Sequence, residues 1–331
     1  MKYNWILLII VLLSILIISG CVQEQPEKYT GPVENITVSN IEEYSTLVWI
    51  AEHQGYFTDN GLNVTNKDYS SGKLAAEALL RGEADISISA GFVFVSAAFD
   101  NPDLRILGSV ALVDNVAVIA RKDKEILQPA DLKGKTIGAT KKSVSEYFLG
   151  EFLTLNYIAL DEVKVIDLDT KDMGDALLRG EVDAVSTWEP NVFAIKNKLM
   201  DNGISWPAQS GEKYSMLILT KEIFITENPE IAERFIQSLI QAEEFVKNNN
   251  EDAKRFIAEK YDYEPAYMDK AWPQYNFVVR LDQNLLNMLE DKARWRIKNK
   301  LTNATEVPNY FDYIYADALE KVKPEAVAIL R

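Results

Sequence analysis

The chain has 331 residues, enough for one large or two medium domains, and its 47% hydrophobic and 26% charged residues exclude a disordered polymer. A formal net charge of −15 excludes a surface built to attract nucleic acid or anionic lipid. With one cysteine and with His53 as the one histidine, a His/Cys metal centre cannot be assembled, nor a Ser-His-Asp or Cys-His set away from His53. No cofactor and no metal are expected.

Lys2 precedes an uncharged run from Trp5 to Ile18 that ends in Ile18-Ser19-Gly20-Cys21. The run is shorter than the ~20 apolar residues of a spanning helix, so residues 1–20 read as a signal peptide. The ending resembles a lipobox, which makes Cys21 the lipidated residue after cleavage. Residues 21–32 have the polar composition of a flexible tether.

Folding is expected from Val33. Ile36 to Val38 is a strand, Tyr44 to Gln54 a helix, and Leu62 to Tyr69 a second strand. Leu74, Ala75, Ala78 and Leu79 share one helical face, and Gly82 after Arg81 stops that helix in the left-handed conformation. Ala84, Ile86 and Ile88 alternate with Asp85, Ser87 and Ser89, the period of a strand. Phe92 to Phe99 suits a buried helix, and Leu104 to Val113 and Val116 to Ala120 are strand-like. After the turn-rich Pro129 to Lys135, the order replays: strand Thr136 to Ala139, helix Ser143 to Tyr157, strand Val163 to Leu168. Then Ala176-Leu177-Leu178-Arg179-Gly180-Glu181-Val182-Asp183-Ala184 repeats Ala78-Leu79-Leu80-Arg81-Gly82-Glu83-Ala84-Asp85 almost word for word.

Strand, helix, strand, helix, strand written twice predicts two α/β lobes. Two similar apolar strands ending in a cation, Val116 to Arg121 and Met216 to Lys221, are expected to cross between them. Lobe 1 is then residues 33–120 with 215–331, and lobe 2 residues 121–214. Pro229 to Ile329 is expected to be mostly helical.

Five motifs carry a resemblance. They are Gly55-Tyr56-Phe57 with Gly61-Leu62, Arg81-Gly82-Glu83-Ala84-Asp85, Pro129-Ala130-Asp131-Leu132-Lys133-Gly134-Lys135, Lys142-Ser143-Val144-Ser145, and Gly180-Glu181-Val182-Asp183-Ala184 with Trp188-Glu189-Pro190. In this order, behind a lipobox, they resemble the substrate-binding proteins of nitrate, sulfonate and taurine ABC importers, a group that includes binders of thiamine pyrimidine precursors. The resemblance implies a type II-like periplasmic-binding-protein fold with two mixed sheets flanked by helices. It implies an interlobe cleft for the solute and no reaction. It also implies a permease and its ATPase as partners, and the receptor is expected to be a monomer anchored by lipid outside the cytoplasmic membrane.

Lys142, Ser143, Val144 and Ser145 open a helix, where free N–H groups and the dipole favour an anion. Ser143-x-x-Glu146 is equally a capping box that needs no ligand. Trp188 is an aromatic wall of the cleft or a core residue; Glu189 binds a ligand amine or starts the next helix. Glu43 and Tyr44, with Glu42, oppose Lys141 and Lys142, which fits a zwitterionic solute or a lobe-to-lobe salt bridge. Ser89, Gly91, Asn115 and Tyr214 are candidates by position after strands or at crossings. A biosynthetic enzyme on the same fold and a ligand sensor are the competing classes.

Overall fold

The computed structural model describes residues 28–330, so the expectations for the signal peptide, Cys21 and most of the tether lie outside the described residues. Seven strands form one mixed sheet: β1 (Glu34–Asn40), β2 (Leu62–Asp68), β3 (Ile86–Ala90), β4 (Leu104–Val113), β10 (Tyr214–Lys221), β11 (Tyr275–Asp282) and β12 (Val327–Ala328), in the order β12-β11-β4-β10-β3-β1-β2. Five form another: β5 (Val116–Arg121), β6 (Thr136–Ala139), β7 (Lys164–Asp167), β8 (Ala184–Trp188) and β9 (Gly203–Pro207), in the order β7-β6-β8-β5-β9. Helices α1 (Thr46–His53), α2 (Gly72–Leu80) and α3 (Gly91–Ala98) accompany the first sheet. Helices α4 (Val144–Leu155), α5 (Met173–Arg179) and α6 (Asn191–Leu199) accompany the second. The C-terminal part adds α7 (Pro229–Asn248), α8 (Asn250–Tyr261), α9 (Pro265–Ala271) and α10 (Gln283–Lys298) to the first unit.

The doubled sequence is a doubled structure. β1 lies between β2 and β3 and pairs parallel with both, as β6 does with β7 and β8. Gly82 (φ 73°) and Gly180 (φ 77°) take the left-handed conformation that ends α2 and α5. The closing bonds match: the Glu83 N–H donates to the Ala78 carbonyl at 2.9 Å, the Glu181 N–H to that of Ala176 at 3.0 Å. The aspartate of each copy reaches back to its central strand. Asp85 accepts the Thr37 N–H at 2.7 Å, and Asp183 accepts the Thr136 N–H at 2.9 Å.

Two expectations are corrected. β5 lies wholly in the five-stranded sheet, paired with β8 and β9, and β10 wholly in the seven-stranded sheet between β3 and β4. They are interior strands, one of each sheet, and they look alike because a strand covered on both faces must be apolar throughout. The chain passes between the sheets at Asp114 and Asn115, and again over residues 208–213, not within these strands. The second correction is β11: within the stretch expected to be helical, Tyr275–Asp282 pairs antiparallel with β4. The stripe Ile231, Phe235, Leu239, Ala242 and Val246 does form one buried face of α7.

Candidate functional site

Between the two sheets lies a cavity of about 20 Å³. Ile41, Tyr44, Gly72, Ala90, Val93, Tyr214 and Met216 wall it from the seven-stranded unit, and Ser143, Val144 and Trp188 from the five-stranded unit. The repeat explains its place. Ala90 and Trp188 end β3 and β8, the matching third strands of the two copies, and ligands of α/β sheets sit beyond such strand ends.

Helix starts supply its polarity. Gly72 is the first residue of α2, and Val144 the first of α4 behind its cap Ser143. The first N–H groups of a helix have no partner within it, and the dipole makes that end positive. Ser71 Oγ accepts the Leu74 N–H at 3.3 Å and Ser143 Oγ the Ser145 N–H at 3.2 Å, which leaves the N–H groups of Gly72 and Val144 outside both the ladder and the caps. No lysine, arginine or histidine is among the lining residues, so the backbone provides the field an anion would meet.

A hydrogen-bonded network stands behind the wall. The Tyr44 hydroxyl donates to the Glu189 carbonyl at 2.7 Å, joining the two units, and accepts from Asn115 Nδ2 at 2.6 Å. Asn115 Oδ1 accepts from the Tyr214 hydroxyl at 2.9 Å, and its Nδ2 also donates to Tyr275 at 3.1 Å. Burial pushes Tyr44, Tyr214 and Tyr275 well above the ordinary phenol value, so these hydroxyls keep their protons. Glu43, 1% exposed, ends the network. Its carboxylate accepts from Tyr263 at 2.7 Å and from Tyr267 and Tyr275 at 2.9 Å. Burial raises its pKa, and the tyrosine hydrogen bonds oppose that rise.

Of the residues singled out in the sequence, Tyr44, Ser143, Val144, Trp188 and Tyr214 meet on the cavity wall, and Asn115 stands directly behind it. The others are placed elsewhere. Ser145 is fully buried and holds α4 to β8 through the Ser186 carbonyl at 2.7 Å. Ser89 donates to the Gly72 carbonyl at 2.9 Å, fixing the start of α2. Gly91 faces Leu289, Leu217 and the Ser215 carbonyl. The Glu189 carboxylate accepts the Phe193 N–H at 2.9 Å, the helix-start role. Lys142 borders a separate groove with Lys73, Glu77 and Asp100.

Glu42 and Glu43 form no ion pair with Lys141 or Lys142: the tyrosines of α9 and β11 and their neighbour Tyr263 hold the acids instead. The capping box is not formed: the Glu146 carboxylate accepts the N–H of Lys142 at 2.8 Å, one residue before the cap, and Ser143 Oγ accepts from the Ser145 N–H. Ile41, Gly72, Ala90, Val93 and Met216 were not foreseen, since aliphatic wall residues have the same sequence pattern as core. The signal that could have found Gly72 is its place at a helix start after Ser71.

A larger groove of about 600 Å³ runs along α7, α8 and β11. Several of its polar side chains are already engaged: Glu243 with the Val279 N–H and Lys323, Lys254 with Glu251 and Asp269, and the Trp272 indole with Asn250. It lies within one unit.

The model of the family described as NMT1/THI5 like matches residues 42–253. A protein of Brucella abortus (strain 2308), provisionally named a binding protein, is 26% identical over 210 residues, covering 61% of this chain. The chain spans 63% of that relative's length. A Bacillus subtilis (strain 168) protein, provisionally named an aliphatic sulfonates-binding protein, is 24% identical over 242 residues, 70% of each chain. Among solved structures, the alkanesulfonate-binding protein SsuA of Xanthomonas axonopodis pv. citri bound to MOPS superposes with a TM-score of 0.73 at 16% identity, over 87% of this chain and 100% of that one. The fold is that of periplasmic binding proteins.

Proposed function

The chain belongs to the NMT1/THI5-like family, and from that membership we propose that it is the extracytoplasmic solute-binding component of an ABC importer. Its two lobes, divided at the passages 114–115 and 208–213, close on a small solute and present it to a permease served by an ATPase. Cys21 anchors the chain by lipid. Solute touching both walls stabilises the closed form, which is a population shift and needs no reaction.

The observation that carries this reading is the wall itself: Tyr44 and Tyr214 from one unit face Ser143, Val144 and Trp188 from the other. The solute class follows from its chemistry. Helix starts at Gly72 and Val144 suit an oxyanion, and Ile41, Val93 and Met216 suit an apolar body. No carboxylate lines the cavity to meet an amine. An alkanesulfonate fits better than the aminosulfonate taurine, in keeping with the names of the Bacillus and Xanthomonas proteins. A second reading, a heteroaromatic such as a thiamine pyrimidine precursor, is favoured by the three aromatic rings Tyr44, Trp188 and Tyr214.

A cavity of about 20 Å³ holds about one water molecule, so any such solute enters by opening of the lobes. Thermal-shift titration with propanesulfonate, taurine, nitrate, bicarbonate and an aminopyrimidine tests the proposal. Propanesulfonate at a hundred times its Kd should add about 2.7 kcal/mol of stability. A response to the aminopyrimidine alone establishes the second reading, and no response to any solute overturns the receptor.

A further inference from the structure

Helix α10 carries Lys292, Trp295 and Arg296 on one face, the spacing that stacks side chains on successive turns. That face belongs to the first unit, where α10 packs on α3, yet its side chains touch α4 of the second. Arg296 lies 3.6 Å from the Glu146 carboxylate of α4, with side-chain exposures of 3% and 7%. Trp295 packs edge-on against Tyr147 at 5.3 Å, and Phe92 completes the cluster at 5.2 Å from Tyr147 and 5.7 Å from Trp295. Gly150 makes room for the indole, because a Cβ there would run into its six-membered ring. Lys292 pairs with Glu212 at 2.6 Å, in the second passage between the sheets, and sits 4.5 Å over the Tyr147 ring.

α4 and α10 are joined covalently only through the two passages, so a rotation of the lobes about those passages moves α4 relative to α10. Arg296 keeps Ser96 Oγ at 3.0 Å and the Leu301 carbonyl at 2.6 Å from its own unit, while its buried Nε has no acceptor. Among the described residues, Glu146 is the carboxylate in ion-pair contact with this buried guanidinium, and the other unit supplies it. Glu146 also holds the Lys142 N–H beside Ser143 and Val144, which connects the pair to the solute wall.

We propose that the Arg296–Glu146 pair, with Trp295 set edge-on against Tyr147 beside it, is a closure latch. Its members are positioning residues that set solute affinity through the closed fraction and touch no solute. The apparent Kd of a receptor is its intrinsic Kd divided by the fraction in the binding-competent state, so a latch changes the affinity for every solute by one factor. The proposal rests on the receptor reading only in requiring that the two lobes move.

Small-angle X-ray scattering of the purified full chain, with no solute added, tests it in wild type, Arg296→Met and Glu146→Gln. The unliganded wild type should scatter as a mixture of closed and open forms, which leaves solute a population to shift. Both variants should populate a form with a larger radius of gyration, their closed-to-open ratio falling on the order of tenfold. Lower melting points with unchanged scattering would mean ordinary core packing and would overturn the latch. Glu146→Gln keeps an acceptor for the Lys142 N–H, and it decides the matter when Arg296→Met does not fold. Failure of the receptor reading shows in the solute titrations and leaves this scattering response untouched, so the two failures are distinguishable.

Discussion

Gly72 concentrates the site's demands in one residue. A Cβ there would stand 3.0 Å from Ser89 Oγ and 3.1 Å from Ile41 Cδ1, at the edge of a cavity with no space for a methyl group. Alanine is otherwise favoured over glycine within a helix by about 1 kcal/mol, so the fold should tolerate the change. Gly72→Ala is expected to weaken propanesulfonate binding by roughly tenfold, the cost of about 1.4 kcal/mol of lost fit, while the thermal midpoint stays near wild type. Calorimetric titration checks it, and unchanged affinity would remove Gly72 from the wall. Glu42 makes a different demand. Tyr263 donates to both Glu43 at 2.7 Å and Glu42 at 3.2 Å, and burial, followed by the Glu43 charge, pushes the Glu42 carboxyl up from 4.5 to about 7. The folded state thus holds this proton more tightly than the unfolded chain. Stability from this group is full below pH 4.5 and is lost as pH rises towards 7. Glu42→Gln should melt above wild type at pH 8 and together with it at pH 4; parallel melting curves across that range would refute the assignment.

At the scale of elements, the repeat makes a paired prediction. Asp85 and Asp183 each accept the N–H of the central strand's Thr37 or Thr136, and each donates its own N–H to that residue's carbonyl at 2.8 Å. Asp85→Ala and Asp183→Ala each leave a strand N–H without an acceptor, which costs about 1–3 kcal/mol. Denaturant unfolding should show similar losses for both, and a silent variant would show that its copy does not use the aspartate as scaffold. The same repeat explains what was legible in the sequence. Gly82, Gly180 and the alternations after them are local signals, and they carried the two α/β units; Ser143 and Val144 came from a helix start, and Trp188 from its strand end and the family resemblance. Glu43 shows the limit. Its partners Tyr263, Tyr267 and Tyr275 lie 220, 224 and 232 residues away, so the sequence displayed an acidic pair beside a helix and nothing of the tyrosines that hold it. β11 was hidden for a related reason: its antiparallel partner β4 lies far upstream, and the stretches on either side of β11 have a strong helical period.

At the scale of the molecule, the passages between sheets must allow rotation and still hold together. Gln209, 3% exposed in the second passage, braces the first. Its Oε1 accepts the N–H groups of Asn115 at 2.7 Å and Val116 at 2.8 Å, and its Nε2 donates to the carbonyls of Val113 at 3.0 Å and Glu212 at 2.6 Å. All four partners belong to the passages or the strand ends beside them, so the brace sits at the pivot and persists whether the lobes are open or closed. A contact made in both states stabilises the fold without shifting the equilibrium between them, whereas the Arg296–Glu146 pair is made in one state only. Gln209→Met leaves two buried backbone donors without acceptors, at about 1–3 kcal/mol each. At the roughly 2–4 °C per kcal/mol of domains of 150–250 residues, the thermal midpoint should fall by roughly 4–24 °C. The scattering profile of the folded variant should match wild type at 20 °C, unlike that of Arg296→Met. A Gln209→Met profile expanded to the same degree would make the passage itself the determinant of closure, and would place the control of the receptor at the pivot and not in α10.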